Sequence, residues 1–321
     1  MSKQCKIIAK PSQMTHDQWL SIRQNSIGGS EISAAAGLNR FKTQFELFVE
    51  KTGPVKHIQE TEPMHWGNIL EPVIREEFSR RTGWEVEKPD YVLASTATPF
   101  MTANLDGLIH FDDDSYGVLE IKTANAFAAS DWSDGGCPVE YYMQIQYYLY
   151  VTGLTKGYLA ALIGGNDYRM IPVERDEATI SKMVELATYF WNNYVRKHQA
   201  PPVDAGDISP LNELYPSAKP QSSMILDSKF STIISDYLQA KADMDEAKKR
   251  KDIAEAQIKE AMADNESAVL DGLYKISWKN STRTSFSADK AKAFLTEEQI
   301  TSCTATSTSR TFRVTKAKTK K

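Results

Sequence analysis

An α+β fold is predicted, with a mixed central sheet flanked by helices, then a long C-terminal helix and a small α+β extension. Between residues 84 and 122, short runs rich in aromatic and β-branched residues follow one another with turn residues between them, the pattern of successive strands. On either side lie longer segments with apolar residues three and four apart, opened by Thr or Pro and closed by Gly, the pattern of amphipathic helices. Beyond a proline-rich stretch at 201–221 the apolar period becomes seven, that of a long helix packed along another.

The chain has 321 residues, 41% hydrophobic and 25% charged, an ordinary balance for a globular protein with a real core. No apolar run approaches the ~20 residues of a membrane span, and the first residues lack a charged-then-apolar signal pattern, so a cytoplasmic protein is expected. Cys5, Cys137 and Cys303 are too far apart for metal-ligand spacing or a disulfide framework. The formal net charge is −4 but is unevenly spread: residues from Ser222 onward carry +4, and those before it −8. An acidic body that handles nucleic acid must hold its positive potential locally or assemble it from several subunits.

Thr15-His16-Asp17-Gln18 is a capping box that opens a helix through Trp19, Leu20 and Ile22, with Arg23 near its end. Ile27-Gly28-Gly29-Ser30-Glu31 then breaks that helix and starts another, running from Ser30 to Ala36. Glycines ahead of a serine at a helix start can form an anion site, or simply a turn and a cap. Thr43-Gln44-Phe45-Glu46 caps a third helix, ended by Gly53-Pro54. From Met64 to Gly83 a fourth carries Trp66, Gly67 and Glu71, which sits four residues from Arg75 and can be its solvated partner. Strands are predicted at Trp84–Val86, Tyr91–Leu93, Phe100–Thr102, Leu105–Phe111 and Val118–Lys122, with Asp112-Asp113-Asp114-Ser115 as a solvated hairpin tip. Pro138 opens a helix through Tyr141-Tyr142-Met143-Gln144-Ile145-Gln146-Tyr147-Tyr148, closed by Gly153; Gln144 and Tyr148 share a face, where a water is a candidate partner for the glutamine. Strands Gly157–Ile163 and Tyr168–Pro172 and a helix from Glu177 to His198 complete a first domain, 1–200.

Five of the 13 prolines fall between Pro201 and Pro220, marking 201–221 as a linker or surface strap. In the second domain, 222–321, Phe230, Tyr237, Met244, Lys251 and Ile258 recur every seven residues, as do Ile233, Ala240, Ala247, Ala254 and Ala261. That seam predicts a helix packed along another helix. Ala268–Trp278, Arg283–Phe286, Ala288–Leu295 and Thr311–Val314 read as a small α+β unit. The tail Arg310, Arg313, Lys316, Lys318, Lys320 and Lys321 is basic and can be solvated or touch a nucleic acid or partner.

Chemistry concentrates at Asp106 and at Glu120-Ile121-Lys122. On a strand, side chains two apart share a face, so Glu120 and Lys122 point together while Ile121 faces the core behind them. Asp106 lies at the tip of the preceding run, in Asn104-Leu105-Asp106-Gly107, where the chain can turn into a neighbouring strand. Phosphodiester hydrolysis uses this set: carboxylate oxygens hold Mg²⁺ and a lysine steadies the water or the developing charge. Asp-Gly between apolar residues is also a hairpin signal. Leu270-Asp271-Gly272-Leu273 repeats it with no E-x-K following, and Glu246-Ala247-Lys248 repeats E-x-K on a helix.

Taken together, Trp19-Leu20-Ser21-Ile22-Arg23 with Ile27-Gly28-Gly29-Ser30-Glu31, Trp66-Gly67 with Glu71, Asp106-Gly107, Glu120-Ile121-Lys122 and Tyr141-Tyr142-Met143-Gln144-Ile145-Gln146-Tyr147 resemble the lambda exonuclease/YqaJ viral recombinase family of the PD-(D/E)xK nuclease superfamily, in order and spacing. The resemblance implies a restriction-endonuclease-like core in which Asp106, Glu120 and the Ile121 carbonyl bind Mg²⁺, with Mn²⁺ able to substitute and Glu71 near the site as a candidate further ligand. It further implies that Lys122 orients the nucleophilic water with help from Gln144, and that Arg23 and Ser30 bind a 5′-phosphate. Leu105 stands where the superfamily pattern has proline. The implied activity is Mg²⁺-dependent 5′→3′ degradation of linear double-stranded DNA. It would leave 3′ overhangs for a phage single-strand annealing protein of RecT/Red-beta type, in the cytoplasm of a host carrying the phage or prophage. A homo-oligomer, a trimeric ring, is implied as well. Two other readings stay open: an endonuclease or flap nuclease on the same core, and a DNA-end-binding scaffold that recruits an annealing protein through 222–321. The likeness fades after about residue 205.

Overall fold

A computed structural model describes residues 4–55, 60–307 and 309–315. The chain divides into two compact units, Met1–Leu214 and Tyr215–Lys321.

In the first unit the order is β1 (Cys5–Ala9), α1 (His16–Gln24), α2 (Ile32–Ala35), α3 (Gln44–Thr52), α4 (Glu62–Thr82), β2 (Glu85–Glu87), β3 (Val92–Ser95) and β4 (Thr102–Ala103). Then follow β5 (Gly107–His110), β6 (Tyr116–Ala124), α5 (Val139–Thr152), β7 (Lys156–Ile163), β8 (Asp167–Glu174), α6 (Glu177–Phe190) and α7 (Ile208–Leu214). The predicted capping box forms at Thr15, whose side chain accepts from the Gln18 N–H while Gln18 reaches back. Thr43 caps α3 in the same way on its own side only, accepting from the Glu46 N–H.

The main sheet is mixed, as predicted, with strand order β2-β5-β6-β7-β8. β6 and β7 are parallel and the other pairs antiparallel. A parallel pair needs a crossover, and here 126–152 supplies it with a 3₁₀ stretch and α5. The exposed Asp112–Asp114 turn joins β5 to β6, with Ser115 bonded to the Asp113 carboxylate. A smaller sheet orders β1-β3-β4. β1 lacked the alternation that marks a strand in the sequence; its ladder with β3 orders it.

The two faces of β6 enter different cores. Leu119 and Ile121 join Ile74, Phe78, Ile109, Phe111 and Ala160 under α4, whereas Val118 joins Met143, Ile145, Tyr147 and Leu149 of α5 in the larger cluster. Each fully buried Leu, Ile or Phe stabilises by about 1.5–3 kcal/mol, so β6 is clamped from both sides and presents its polar residues from a rigid base.

Two expectations change in this unit. The helix predicted to run to His198 is α-helical to Phe190 and then widens into a π-helical turn, Trp191–Val195, where Trp191 stacks on Phe100 at 5.3 Å. Of the two readings of 201–221, linker or surface strap, the strap holds for its first part, and the first unit runs on past 200 to Leu214. Asp207 is buried, accepts from the Thr43 hydroxyl and the Asp204 N–H, and leads into α7, whose Leu211 and Leu214 pack on the main core.

The second unit holds α8 (Phe230–Met262), a hairpin of β9 (Ser267–Leu270) and β10 (Tyr274–Ser277), α9 (Ala288–Lys292) and α10 (Glu297–Ser302). Asp271 and Gly272, both with positive φ (46° and 68°), make the hairpin turn. The heptad seam does form a long helix of 33 residues, but its expected partner helix is not found among the described residues of this unit. Ile233, Tyr237, Met244 and Ile258 are left exposed. Arg283–Phe286 and Thr311–Val314 form neither helix nor strand. Of the basic tail, Lys316, Lys318, Lys320 and Lys321 lie outside the described residues. No helix among the described residues is long and apolar enough to cross a membrane.

Candidate active site

Asp106-Gly107 is not a turn but the entry to β5. The ladder between β5 and β6 stops at the pair Gly107 and Leu119. Glycine is required there, because a Cβ would sit 2.7 Å from Val86 Cγ1 and 3.1 Å from Leu119 Cβ. Beyond that pair the strands part, and the Ile121 N–H donates to Asp106 Oδ2 at 2.9 Å instead of to a neighbouring carbonyl. The N–H and C=O of one strand residue leave the same edge, so the Ile121 carbonyl opens toward the same gap.

Glu120 and Lys122 leave the α5 side of β6. Lys122 Nζ lies 2.5 Å from Glu120 Oε1 and donates to Gln144 Oε1 at 3.0 Å, with the Tyr141 ring 4.8 Å away. Gln144 Nε2 in turn donates to the Tyr148 hydroxyl at 3.1 Å. The second Glu120 oxygen, Oε2, is buried with no hydrogen-bond partner. Burial, and then the Asp106 carboxylate, push the Glu120 carboxyl up to about 8. Burial also raises Asp106, against the pull of Lys122. For Lys122 burial acts to lower the proton affinity, but Glu120 and Asp106 outweigh it and the ammonium is held above its ordinary range. The two carboxyls thus share one excess of negative charge that a single lysine does not cancel.

A cavity of about 540 Å³ collects the eight candidate site residues: Asp106, Glu120, Ile121, Lys122, Gln144, Glu71, Arg23 and Ser30 all line it. Glu71 lines it from α4, with its Oε1 oxygen meeting both Arg75 and Lys88. Arg75 also donates through Nε to the Asp106 carbonyl at 2.9 Å. Glu71 thus bears on Asp106 through Arg75 and also by its own charge, which adds to the rise of the Asp106 carboxyl. Among the described residues, no three carboxylate, imidazole or thiol groups come together as a metal cage.

At the other end of the cavity, Ser30 is exposed and Arg23 is paired with Glu31 at 3.1 Å. Gly29 touches α5: a Cβ there would lie 2.4 Å from Tyr148 Cε1. Sequence reasoning gave no role to Lys51 or Lys88, named Glu31 without a partner, and named Arg75 as the partner of Glu71, which the ion pair bears out, but not its bond to the Asp106 carbonyl. Glu31 had a signal, since it stands three residues after Gly28 and accepts from the Gly28 N–H as a capping-box glutamate does. Lys51 had none, because a lysine on an amphipathic helix normally faces water.

With this geometry in hand, a family model described as the YqaJ-like viral recombinase domain matches residues 18–155, the span that contains all eight predicted residues. The uncharacterized protein YqaJ of Bacillus subtilis (strain 168) is 34% identical over 284 residues, covering 87% of this chain and 88% of that protein. Among solved structures, an alkaline exonuclease from Laribacter hongkongensis is 20% identical with a TM-score of 0.49, covering 57% of this chain and 94% of that one. A phage-related exonuclease from Haemophilus somnus 129PT is 12% identical with a TM-score of 0.39, covering 54% and 96%. Structural likeness at that level is too partial to bring over an activity.

Proposed function

We infer, since this chain belongs to the YqaJ-like viral recombinase family, that it is a Mg²⁺-dependent exonuclease that hydrolyses linear double-stranded DNA from the 5′ end. One observation carries the reading. Asp106, Glu120 and Lys122 converge in a cavity that also holds Arg23 and Ser30, so a hydrolytic set and a candidate end-binding set share one space.

The donors suit a hard divalent cation. Glu120 Oε2 is buried and unpartnered, and Asp106 and Glu120 hold their protons more tightly than free carboxyls do. A cation would relieve both conditions. Asp106, Glu120 and the Ile121 carbonyl would hold it. Bound there, Mg²⁺ would supply Lewis-acid polarisation of the scissile phosphate and neutralise charge developing on it.

Lys122, fixed by Glu120 and Gln144, presents its ammonium where the attacking water must be oriented and where negative charge grows in the transition state. Gln144 is itself held by Tyr148, which keeps its carbonyl oxygen turned to the lysine. Arg75 ties Glu71 to the Asp106 backbone and so fixes the strand end that carries Asp106. Arg23 and Ser30 would receive the 5′-terminal phosphate, which sets the direction of digestion. The 3′ strand left behind is the substrate of a single-strand annealing protein, and a homo-oligomeric ring would gather local positive charge around the DNA that the acidic first 221 residues lack singly.

The test is a time course on end-labelled duplex DNA with Mg²⁺, comparing 5′-phosphate with 5′-hydroxyl ends and linear with closed circular molecules. Mononucleotides released from phosphorylated 5′ ends, with circles intact, are expected. Nicked circles, or indifference to the end group, would replace the exonuclease with an endonuclease on the same core.

A further inference from the structure

Arg23, which lines the cavity, is joined to charges that the hydrolytic step does not use. Glu31 and Lys51 are both buried, their side chains 5% and 2% exposed, with Lys51 Nζ 2.7 Å from Glu31 Oε2. Arg23, 46% exposed, takes the other oxygen, Oε1, at 3.1 Å. Lys51 also donates to the Arg23 carbonyl at 2.6 Å, and the Gly28 N–H donates to Glu31 Oε2 at 2.9 Å. One carboxylate thus joins the end of α1, the Gly28-Gly29-Ser30 turn and α3.

Two cations surround one anion. Since Glu31 and Lys51 are sealed from solvent and cancel each other, the surplus positive charge is expressed at the guanidinium that lines the cavity. That guanidinium spends one donor on Glu31, and the rest of its fork is uncommitted among the described residues. Burial alone would raise the Glu31 carboxyl, but Lys51 and Arg23 hold it below its ordinary value, so it stays ionised. Without Lys51, Glu31 and Arg23 would form a closed one-to-one pair, and Arg23 would have little charge left for a ligand.

We propose that Glu31 and Lys51 are positioning residues for the 5′-terminal phosphate: the carboxylate aims Arg23, and the buried ammonium neutralises that carboxylate so that Arg23 keeps its charge for the DNA end. The proposal rests on the reading of Arg23 as a terminal-phosphate contact. Burying two charges is costly, and an apolar pair of similar volume would serve packing at least as well, which is the reason to look for a role beyond packing.

The experiment uses the full chain with Mg²⁺ and measures kcat/KM on 5′-phosphorylated and 5′-hydroxyl linear duplexes. In Lys51→Met the ratio of the two should fall about ten- to a hundredfold, the worth of a charged hydrogen bond, and the loss should sit in KM for phosphorylated ends. In the double variant Glu31→Gln/Lys51→Met no buried charge competes for Arg23, and most of the wild-type ratio should return. An unchanged ratio in Lys51→Met, or equal losses on both kinds of end with no recovery in the double variant, overturns the proposal. If Lys51→Met does not fold, Lys51→Gln, which keeps a donor for Glu31 but no charge, takes its place: a fallen ratio supports the proposal and a wild-type ratio refutes it. A wild-type protein indifferent to the end group removes the terminal-phosphate reading and this inference with it. If Arg23→Gln abolishes the preference while Lys51→Met keeps it, the reading survives and only the positioning role falls.

Discussion

Glu120 has one oxygen on Lys122 and the other buried without a partner, beside a second carboxylate. Its carboxyl is pushed up to about 8 from an ordinary 4.5. A carboxyl that binds its proton more tightly folded than unfolded stabilises fully below its unfolded value and loses that contribution as pH rises through the folded value. The metal-free protein should therefore lose stability between about pH 5 and pH 8, with Asp106 acting in the same direction. Lys122, held above 10.5, contributes across that whole window. Glu120→Gln removes the titration. In EDTA its Tm should exceed that of the wild type at pH 8 and the gap should close toward pH 5. Mg²⁺ should raise the wild-type Tm and leave the variant unmoved. Parallel pH profiles for the two proteins would show that Glu120 does not carry the excess charge. That Glu120 shares a face with Lys122, and Gln144 with Tyr148, was legible because strand and helix periods fix which side chains point together. The inward turn of Lys51 onto Glu31 and the bond of Arg75 to the Asp106 carbonyl were not, since a cation that turns inward to meet a buried carboxylate or a carbonyl has the same sequence surroundings as one that faces water.

At the scale of elements, the site depends on how β6 meets α5 and on how the 28–30 turn meets α5. β6 was legible from Gly117 and the apolar residues after it, and its span came out longer than predicted, Tyr116–Ala124, because β7 pairs with it to the end. The two Asp-Gly dipeptides separate on backbone conformation. Asp271-Gly272 takes positive φ and turns, while Asp106-Gly107 continues into a strand because Val86 and Leu119 close over Gly107. That difference lies in long-range packing and is invisible to a local pattern. The second contact gives a prediction. In Gly29→Ala the new methyl meets the Tyr148 ring, whose hydroxyl holds Gln144. Overpacking of this kind costs about 1–3 kcal/mol, and the displaced ring should loosen Gln144 from Lys122. Thermal denaturation and turnover should therefore fall together in this variant, whereas Gly29→Ala with wild-type kcat would show that the turn and the hydrolytic set are independent.

Over the whole molecule, all eight candidate site residues lie within Met1–Leu214. The heptad period of α8 was legible and its partner was not, because a seam specifies an apolar face without saying which chain covers it. The prolines at 201–220 suggested a linker, but Asp207 and Thr43 lie far apart in sequence and their bond draws 204–214 onto the first unit. A protein truncated after Leu214 should accordingly stay folded and hydrolyse naked DNA, whereas one truncated at 200 should be less stable for want of α7 and Asp207. Circular dichroism melts of the two truncations check this; equal stability would return 201–214 to the linker.

The central claim is that Asp106, Glu120 and Lys122 form the hydrolytic set, and Lys122→Ala on 5′-phosphorylated linear duplex tests it most directly when DNA binding and turnover are measured on the same preparation. DNA affinity and Tm should remain near wild type while turnover falls by about 10²–10³-fold, the usual cost of removing a group that acts on developing charge. Turnover at the wild-type rate would contradict the assignment and move the chemistry elsewhere in the cavity.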